Sequence, residues 1–228
     1  MLAGWVPLFA AAVTWNPVAS GVEYLRVAEG GIDVELIRFD LARFAPEVVV
    51  LGADRPRTAA ALREETGASA AVNGGFFDED WRPLGLRIMS GKLMVALRPR
   101  VDWGVLFLRG GRARIVHSRE FRPDPAIQQA IQVGPRLVVD GQPLRLKPQV
   151  ARRTAVALDR EGRSMTLIAT HAPADAMRLA ELLAHLGFDS AVMFDGGPSS
   201  QLSAALGNLH LDLRGDYAVP DVLLMRPR

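Results

Sequence analysis

At 228 residues, with 49% apolar and 23% charged side chains, the chain has the make-up of a folded globular protein rather than a disordered one. It has no cysteine, which excludes disulfides, zinc–thiolate sites and thiol catalysis. The formal charge is only +2, Lys92 and Lys147 are the only lysines, and the arginines are scattered among acids, so no stretch marks a nucleic-acid surface. Phosphate on a small substrate suits the arginine fork better.

No Ser/Gly-rich or charged linker divides the chain, which predicts one domain over residues 15–228. Residues 1–14 are set apart. Leu2 to Val13 is an apolar run ending near Ala10-Ala11-Ala12, too short to span a bilayer. It reads as a secretory signal that lacks the usual leading Lys or Arg, the alternative being an apolar first strand or a truncated gene start. An exported protein, periplasmic or extracellular, is expected, with no stable membrane insertion of the mature domain.

From Val22 to Phe39 two alternating runs flank Glu29-Gly30-Gly31, the pattern of a β-hairpin with one buried face. Val48-Val49-Val50-Leu51 follows as a buried strand, then a helix over Thr58 to Thr66 closed by Gly67, then the strand Ala70-Ala71-Val72. That unit runs into Asn73-Gly74-Gly75-Phe76-Phe77-Asp78. The middle predicts two hairpins, turning at Ser90-Gly91 and Gly110-Gly111, and a short helix from Pro125 to Ile131. Leu144 to Val150 lacks pattern and reads as a surface loop of the kind that rims sites.

The last third predicts strands over Arg153–Leu158 and Met165–Thr170. A helix opened by Asp175 follows, with Ala176, Leu179, Ala180, Leu183 and Leu186 on one face, then the strand Ser190–Phe194. That strand breaks into Asp195-Gly196-Gly197-Pro198-Ser199-Ser200. Two units therefore share the order strand, helix, strand, then Asn or Asp with Gly-Gly, a weak repeat. If both are parallel crossovers, both glycine turns leave the carboxyl ends of sheet strands, where open sheets bind ligands. The fold class expected is α+β: a mixed β-sheet core with hairpins and two strand–helix–strand units.

Several chemistries compete at these turns. Ser199 and Ser200 lack the Gly-x-Ser-x-Gly elbow of a serine hydrolase, although His171 at a strand end offers a base. The serine hydroxyls and the N–H groups after Gly197 are better suited to holding an anion. Asp195, Asp78 and Asn73 supply oxygen ligands for calcium or magnesium, but their spacing matches no known loop, and no metal or cofactor is assigned. His117, His171, His185 and His210 lack zinc-ligand spacing. Arg153 and Arg136 are candidate anion contacts, and Phe76, Phe77 and Trp81 a candidate wall for a sugar ring.

Four segments in order carry a resemblance: Val72 to Asp78, Val133-Gly134-Pro135-Arg136-Leu137-Val138, Arg152-Arg153-Thr154-Ala155-Val156, and Phe194 to Ser200. Together they resemble the phosphodiester glycosidase domain family, that of the enzyme which uncovers mannose 6-phosphate. Trp15 to Tyr24 is similar to the opening of its bacterial members. Two positions depart from the family pattern. Pro198 stands where a third glycine is usual, and Ala157 where glycine commonly follows.

The resemblance implies hydrolysis of a sugar-1-phosphate diester at the sugar carbon. Asp195 would be nucleophile or base and Asp78 the weaker candidate for a second carboxylate. Arg153 would hold the phosphate with Ser199 and Ser200, and Asn73 would bond sugar hydroxyls. Gly74, Gly75, Gly134, Arg136, Thr154, Gly196 and Gly197 complete the expected substrate site. Proline lacks an N–H, so Pro198 counts against phosphate binding by that turn. Two alternatives follow: a non-catalytic exported module binding glycan or phosphoglycan, and a polysaccharide-cleaving enzyme that needs no phosphate.

Overall fold

The computed structural model describes residues 13–228, so most of the expected export segment lies outside the described residues. In chain order the elements are β1 (Asn16–Ala19), β2 (Val22–Glu29), β3 (Ile32–Asp40), β4 (Phe44–Val50), α1 (Ala59–Thr66) and β5 (Ala70–Asn73). Next come β6 (Arg87–Met89), β7 (Lys92–Val95), β8 (Gly104–Arg109), β9 (Arg112–His117), β10 (Ile127–Val133), β11 (Arg136–Val139), β12 (Gln142–Pro143) and β13 (Val150–Ala151). The chain continues with β14 (Thr154–Leu158), β15 (Ser164–Thr170), β16 (Ala174–Asp175), α2 (Ala176–His185) and β17 (Ser190–Met193). It ends with β18 (Leu202–Leu206), β19 (Leu209–Leu213) and β20 (Asp221–Pro227). The α+β expectation holds, with more sheet than a balanced α+β fold.

An eight-stranded sheet has the order β1-β2-β3-β15-β14-β17-β11-β12, and a five-stranded sheet the order β19-β18-β5-β20-β4. Residues of both inner faces, among them Ile37, Phe39, Val192 and Phe194 from the first and Val72, Leu223 and Met225 from the second, form one core cluster. Leu106 and Ile131, from a third sheet ordered β7-β6-β10-β8-β9, join it from the side. Helix α2 covers the outer face of the large sheet and α1 that of the second, giving helix, sheet, sheet and helix layers.

Both helices form where their caps and stripes require. Asp175 accepts hydrogen bonds from Met177 N and Arg178 N, and Leu179, Leu182 and Leu183 are fully buried against Leu36, Ala155 and Ile168. Each buried leucine contributes roughly 2 kcal/mol. Thr58 caps α1 through Ala61 N, and Gly67 ends it at φ +66°.

The segment expected as a helix over Pro125–Ile131 is instead β10, a central strand between β6 and β8. Two of its glutamines serve as anchors: the half-buried Gln129 accepts from Val48 N through Oε1, and the buried Gln132 bonds Leu86 N, Arg98 N, Arg98 O and Ser118 Oγ. Pairing on both edges overrides the local helix propensity.

The two strand–helix–strand units repeat in topology. β4 and β5 both run antiparallel to β20 between them, and β15 and β17 both run antiparallel to β14, so each unit is a parallel crossover with one strand inserted. The glycine motifs do not repeat in register. Asn73 pairs with Val222 and Met193 with Ala155, which makes Met193 rather than Asp195 the counterpart of Asn73.

Candidate functional site

The two glycine turns meet. Asp195 N donates to Gly74 O at 3.2 Å, and Asn73 Nδ2 donates to Asp195 O at 2.9 Å. Asn73 is fully buried; its amide also donates to Gly74 O, and its Oδ1 accepts from Thr154 Oγ1 at 2.7 Å and Gln201 N at 3.1 Å. The side chain expected to bond sugar hydroxyls has its hydrogen-bonding capacity engaged by the protein. With Thr154 it rivets both sheets together beneath Asp195.

The glycines are explained by what lies behind them. A Cβ on Gly74 would collide with the Asp221 carboxylate, and one on Gly75 with Arg87 Nη2 and, at 2.7 Å, with Val133 Cγ1. Arg87 and Asp221 are both fully buried and form an ion pair through Nε and Oδ2. Arg87 Nη1 adds bonds to the carbonyls of Leu84, Gly85, Leu86 and Gln132. Burial pushes the Asp221 carboxyl up, with the Arg87 guanidinium pulling it down. Neither residue stands out in the sequence, since the pair is long-range and each side chain reads as an ordinary strand position.

Asp195 is half-buried at the junction. Its Oδ1 accepts from Gly196 N at 3.0 Å and its Oδ2 from Ser199 Oγ at 2.6 Å. Burial raises its pKa above the ordinary carboxylate range; the Ser199 and Gly196 hydrogen bonds oppose the rise, and the Asp221 charge adds to it. Ser199 Oγ also lies 3.2 Å from the hydroxyl of Tyr217. Its neighbours are thus a carboxylate and a phenol, whereas His171 is bonded to Glu35 at 2.6 Å, so the pairing of a hydrolase serine with histidine is absent here.

After Asp195 the chain makes a 3-10 turn over Gly197–Ser199, with Gly197 at φ +60°. Pro198 is exposed within the first turn, where its fixed φ fits and no N–H is required. The other amides are engaged: Gly197 N with Arg152 O, Ser199 N with Gly196 O, Ser200 N with Gly197 O, and Gln201 N with Asn73 Oδ1. The expected cradle of free N–H groups does not form, because the turn uses them to hold its own shape. Ser200 Oγ is buried without a hydrogen-bond partner.

Arg153 lies behind Gly196, whose added Cβ would stand 3.9 Å from Arg153 Nη1. It is 2% exposed, with Nε on Ala174 O at 3.1 Å and Nη2 on Gln149 O. Nη1 has only long contacts, 3.5 Å to Gln149 Oε1 and 3.6 Å to Met193 Sδ. No carboxylate pairs with this guanidinium among the described residues, and burial lowers its pKa against the field of Asp175.

The expected aromatic wall is divided. Phe76 packs on Trp103 at 4.7 Å, while Phe77 stacks on Trp81 at 5.1 Å and meets Tyr217 edge-on at 6.2 Å. Asp78 shapes this loop: its Oδ1 accepts from Asp80 N and Arg82 N, and its carbonyl from Trp81 N, holding Trp81 at φ +60°. A bulky residue rarely adopts that conformation, and Asp78 Oδ1 is engaged in holding it. Gly134 is buried against Trp103, and Arg136 lines a groove with Arg114, Arg160 and Asp189 near the opposite end of β17 from Asp195. Among the described residues no group of three or more acidic or histidine side chains is arranged to hold a metal ion.

The sequence profile of the phosphodiester glycosidase family matches residues 66–225, which contain both turns and Arg153. The chain belongs to this family. Among solved structures, the catalytic domain of zebrafish N-acetylglucosamine-1-phosphodiester alpha-N-acetylglucosaminidase, auto-inhibited by its pro-peptide, superposes with a TM-score of 0.69. It is 17% identical and covers 96% of this chain and 85% of its own. A Synechocystis protein matches with a TM-score of 0.71 at 16% identity, covering 96% of this chain and 64% of its own. A Burkholderia pseudomallei K96243 protein provisionally described as exported matches with 0.64 at 15%, over 90% of this chain and 74% of its own. These likenesses establish the phosphodiester glycosidase fold. The Escherichia coli (strain K12) protein YigE is 35% identical over 115 residues, a match spanning 45% of each chain.

Proposed function

We propose that this phosphodiester glycosidase family member hydrolyses a sugar-1-phosphate diester, releasing the free sugar and a phosphate monoester. The observation that carries the reading is the position of Asp195, a half-buried carboxylate on fused glycine turns with the unpaired Arg153 guanidinium behind Gly196. Asp195 takes a proton from a water that attacks the anomeric carbon. The carbon–oxygen bond to phosphate breaks, and its electron pair leaves with the phosphate. Because phosphate is a good leaving group, one carboxylate suffices where glycosidases ordinarily use two.

Arg153 Nη1 faces the phosphate once the Gln149 side chain gives way. Phe77, Trp81 and Tyr217 form the wall for the sugar ring. The glycan belongs to the envelope or the extracellular space, which is supported by the apolar start of the sequence and by the Burkholderia neighbour's description.

Incubation with an N-acetylglucosamine phosphodiester tests the reading: free sugar is expected, its release depending on Arg153. Tight binding without release would favour a glycan-binding module. Release unaffected by Arg153→Ala would favour a polysaccharide-cleaving enzyme that needs no phosphate.

A further inference from the structure

Ser199 has one proton and two neighbours. The Asp195 carboxylate, when ionised, only accepts, so the Ser199 proton points to Asp195 Oδ2 and Ser199 Oγ accepts a hydrogen bond from the Tyr217 hydroxyl. With Asp195 ionised, the chain runs from Tyr217 through Ser199 to Asp195. Donation by the phenol makes the serine a better donor in turn.

Tyr217 is held for this role. Its carbonyl accepts from Gln201 Nε2 at 3.0 Å, and its ring meets Phe77 and Trp81 edge-on. Ser199 is fully buried, whereas Tyr217 is 38% exposed, so the chain has an inner and an outer end. Having spent its proton inward, the phenol oxygen offers its lone pairs outward beside the aromatic wall.

Resting on the function proposed above, we infer that Tyr217 is a specificity and positioning residue: it accepts a hydrogen bond from a hydroxyl of the substrate sugar and, through Ser199, orients the Asp195 carboxylate. A sugar with a hydroxyl donor at that position tightens the whole chain. One lacking it binds the same wall without this effect.

The groups around Asp195 that bear on its charge are few. Asp221 approaches from β20 with Arg87 paired behind it, Arg153 lies behind Gly196, and Arg152 beyond is paired with Asp216 at 2.5 Å. None of these pairs with Tyr217, so removing the phenol oxygen alone leaves them in place.

The test is Tyr217→Phe, which keeps the ring, beside Ser199→Ala and the double variant. Two readouts apply: kcat and KM against pH, and an NMR titration of the Asp195 carboxyl without substrate. Tyr217→Phe should lower kcat roughly tenfold, the scale of one lost hydrogen bond, with a smaller change in KM. The acid limb and the carboxyl titration should both move to higher pH. The double variant should be no worse than Ser199→Ala, because the two act in one chain. An unchanged carboxyl titration in Tyr217→Phe would overturn the inference even if sugar is released. A shifted titration in a protein that releases no sugar would uphold the positioning role and instead refute the proposed activity.

Discussion

Asn73 Nδ2 donates to the main-chain carbonyl of Asp195 at 2.9 Å, and through this bond a residue at the end of β5 fixes the glycine turn after β17. The partners are 122 residues apart in sequence. Because the amide is buried with its bonds satisfied, Asn73→Ala strands the Gln201 N–H and the Thr154 hydroxyl as well as the Asp195 carbonyl. A stability loss of about 3 kcal/mol is expected in denaturant unfolding, with turnover falling alongside. A variant that is fully stable but fails to bind sugar would return Asn73 to the substrate.

The Arg87–Asp221 pair makes a second stability prediction. Asp221→Asn leaves a buried guanidinium without its counter-charge and should cost about 3 kcal/mol or more. Arg87→Met combined with Asp221→Leu should not restore the parent's stability, because although the buried charge is gone the carbonyls of Leu84, Gly85, Leu86 and Gln132 lose their donor. Chemical denaturation of the single and double variants checks both statements.

Pro198 occupies a position in the 3-10 turn that asks for no N–H. Pro198→Gly, which restores the usual family residue, should therefore lower stability by about 1 kcal/mol through chain entropy and leave sugar release within about twofold. A large gain in turnover would mean that the proline blocks the turn from a ligand.

The raised pKa of Asp195 has a stability consequence. A carboxyl whose folded pKa lies above its unfolded value supports the fold below the unfolded pKa, near 3.8, and that support is lost as pH rises through the folded value. Asp195→Asn, close in shape and uncharged, should consequently melt higher than the parent at neutral pH, with the difference shrinking toward pH 3. Thermal melts across that range decide the sign.

The legible parts of the chain were those set by local pattern. Alternation between Val22 and Phe39 announces the β2–β3 hairpin, the Ala176–Leu183 stripe announces α2, and an acid where an apolar strand breaks into glycines announces Asp195. What escaped depends on contacts distant in sequence. Gln129 looks helical until both edges of β10 are paired, and Tyr217 sits in an unpatterned loop that gains meaning only beside Ser199. Asn73 looked like a ligand contact because its polarity is visible in sequence and its partners are not.

The central claim is that Asp195 carries the reaction, and it is tested most directly by comparing sugar release from an N-acetylglucosamine phosphodiester by the parent and by Asp195→Asn. The variant should fold, melt no lower than the parent at neutral pH, and lose about a hundredfold or more in kcat. Equal rates of release from the two proteins would contradict the account.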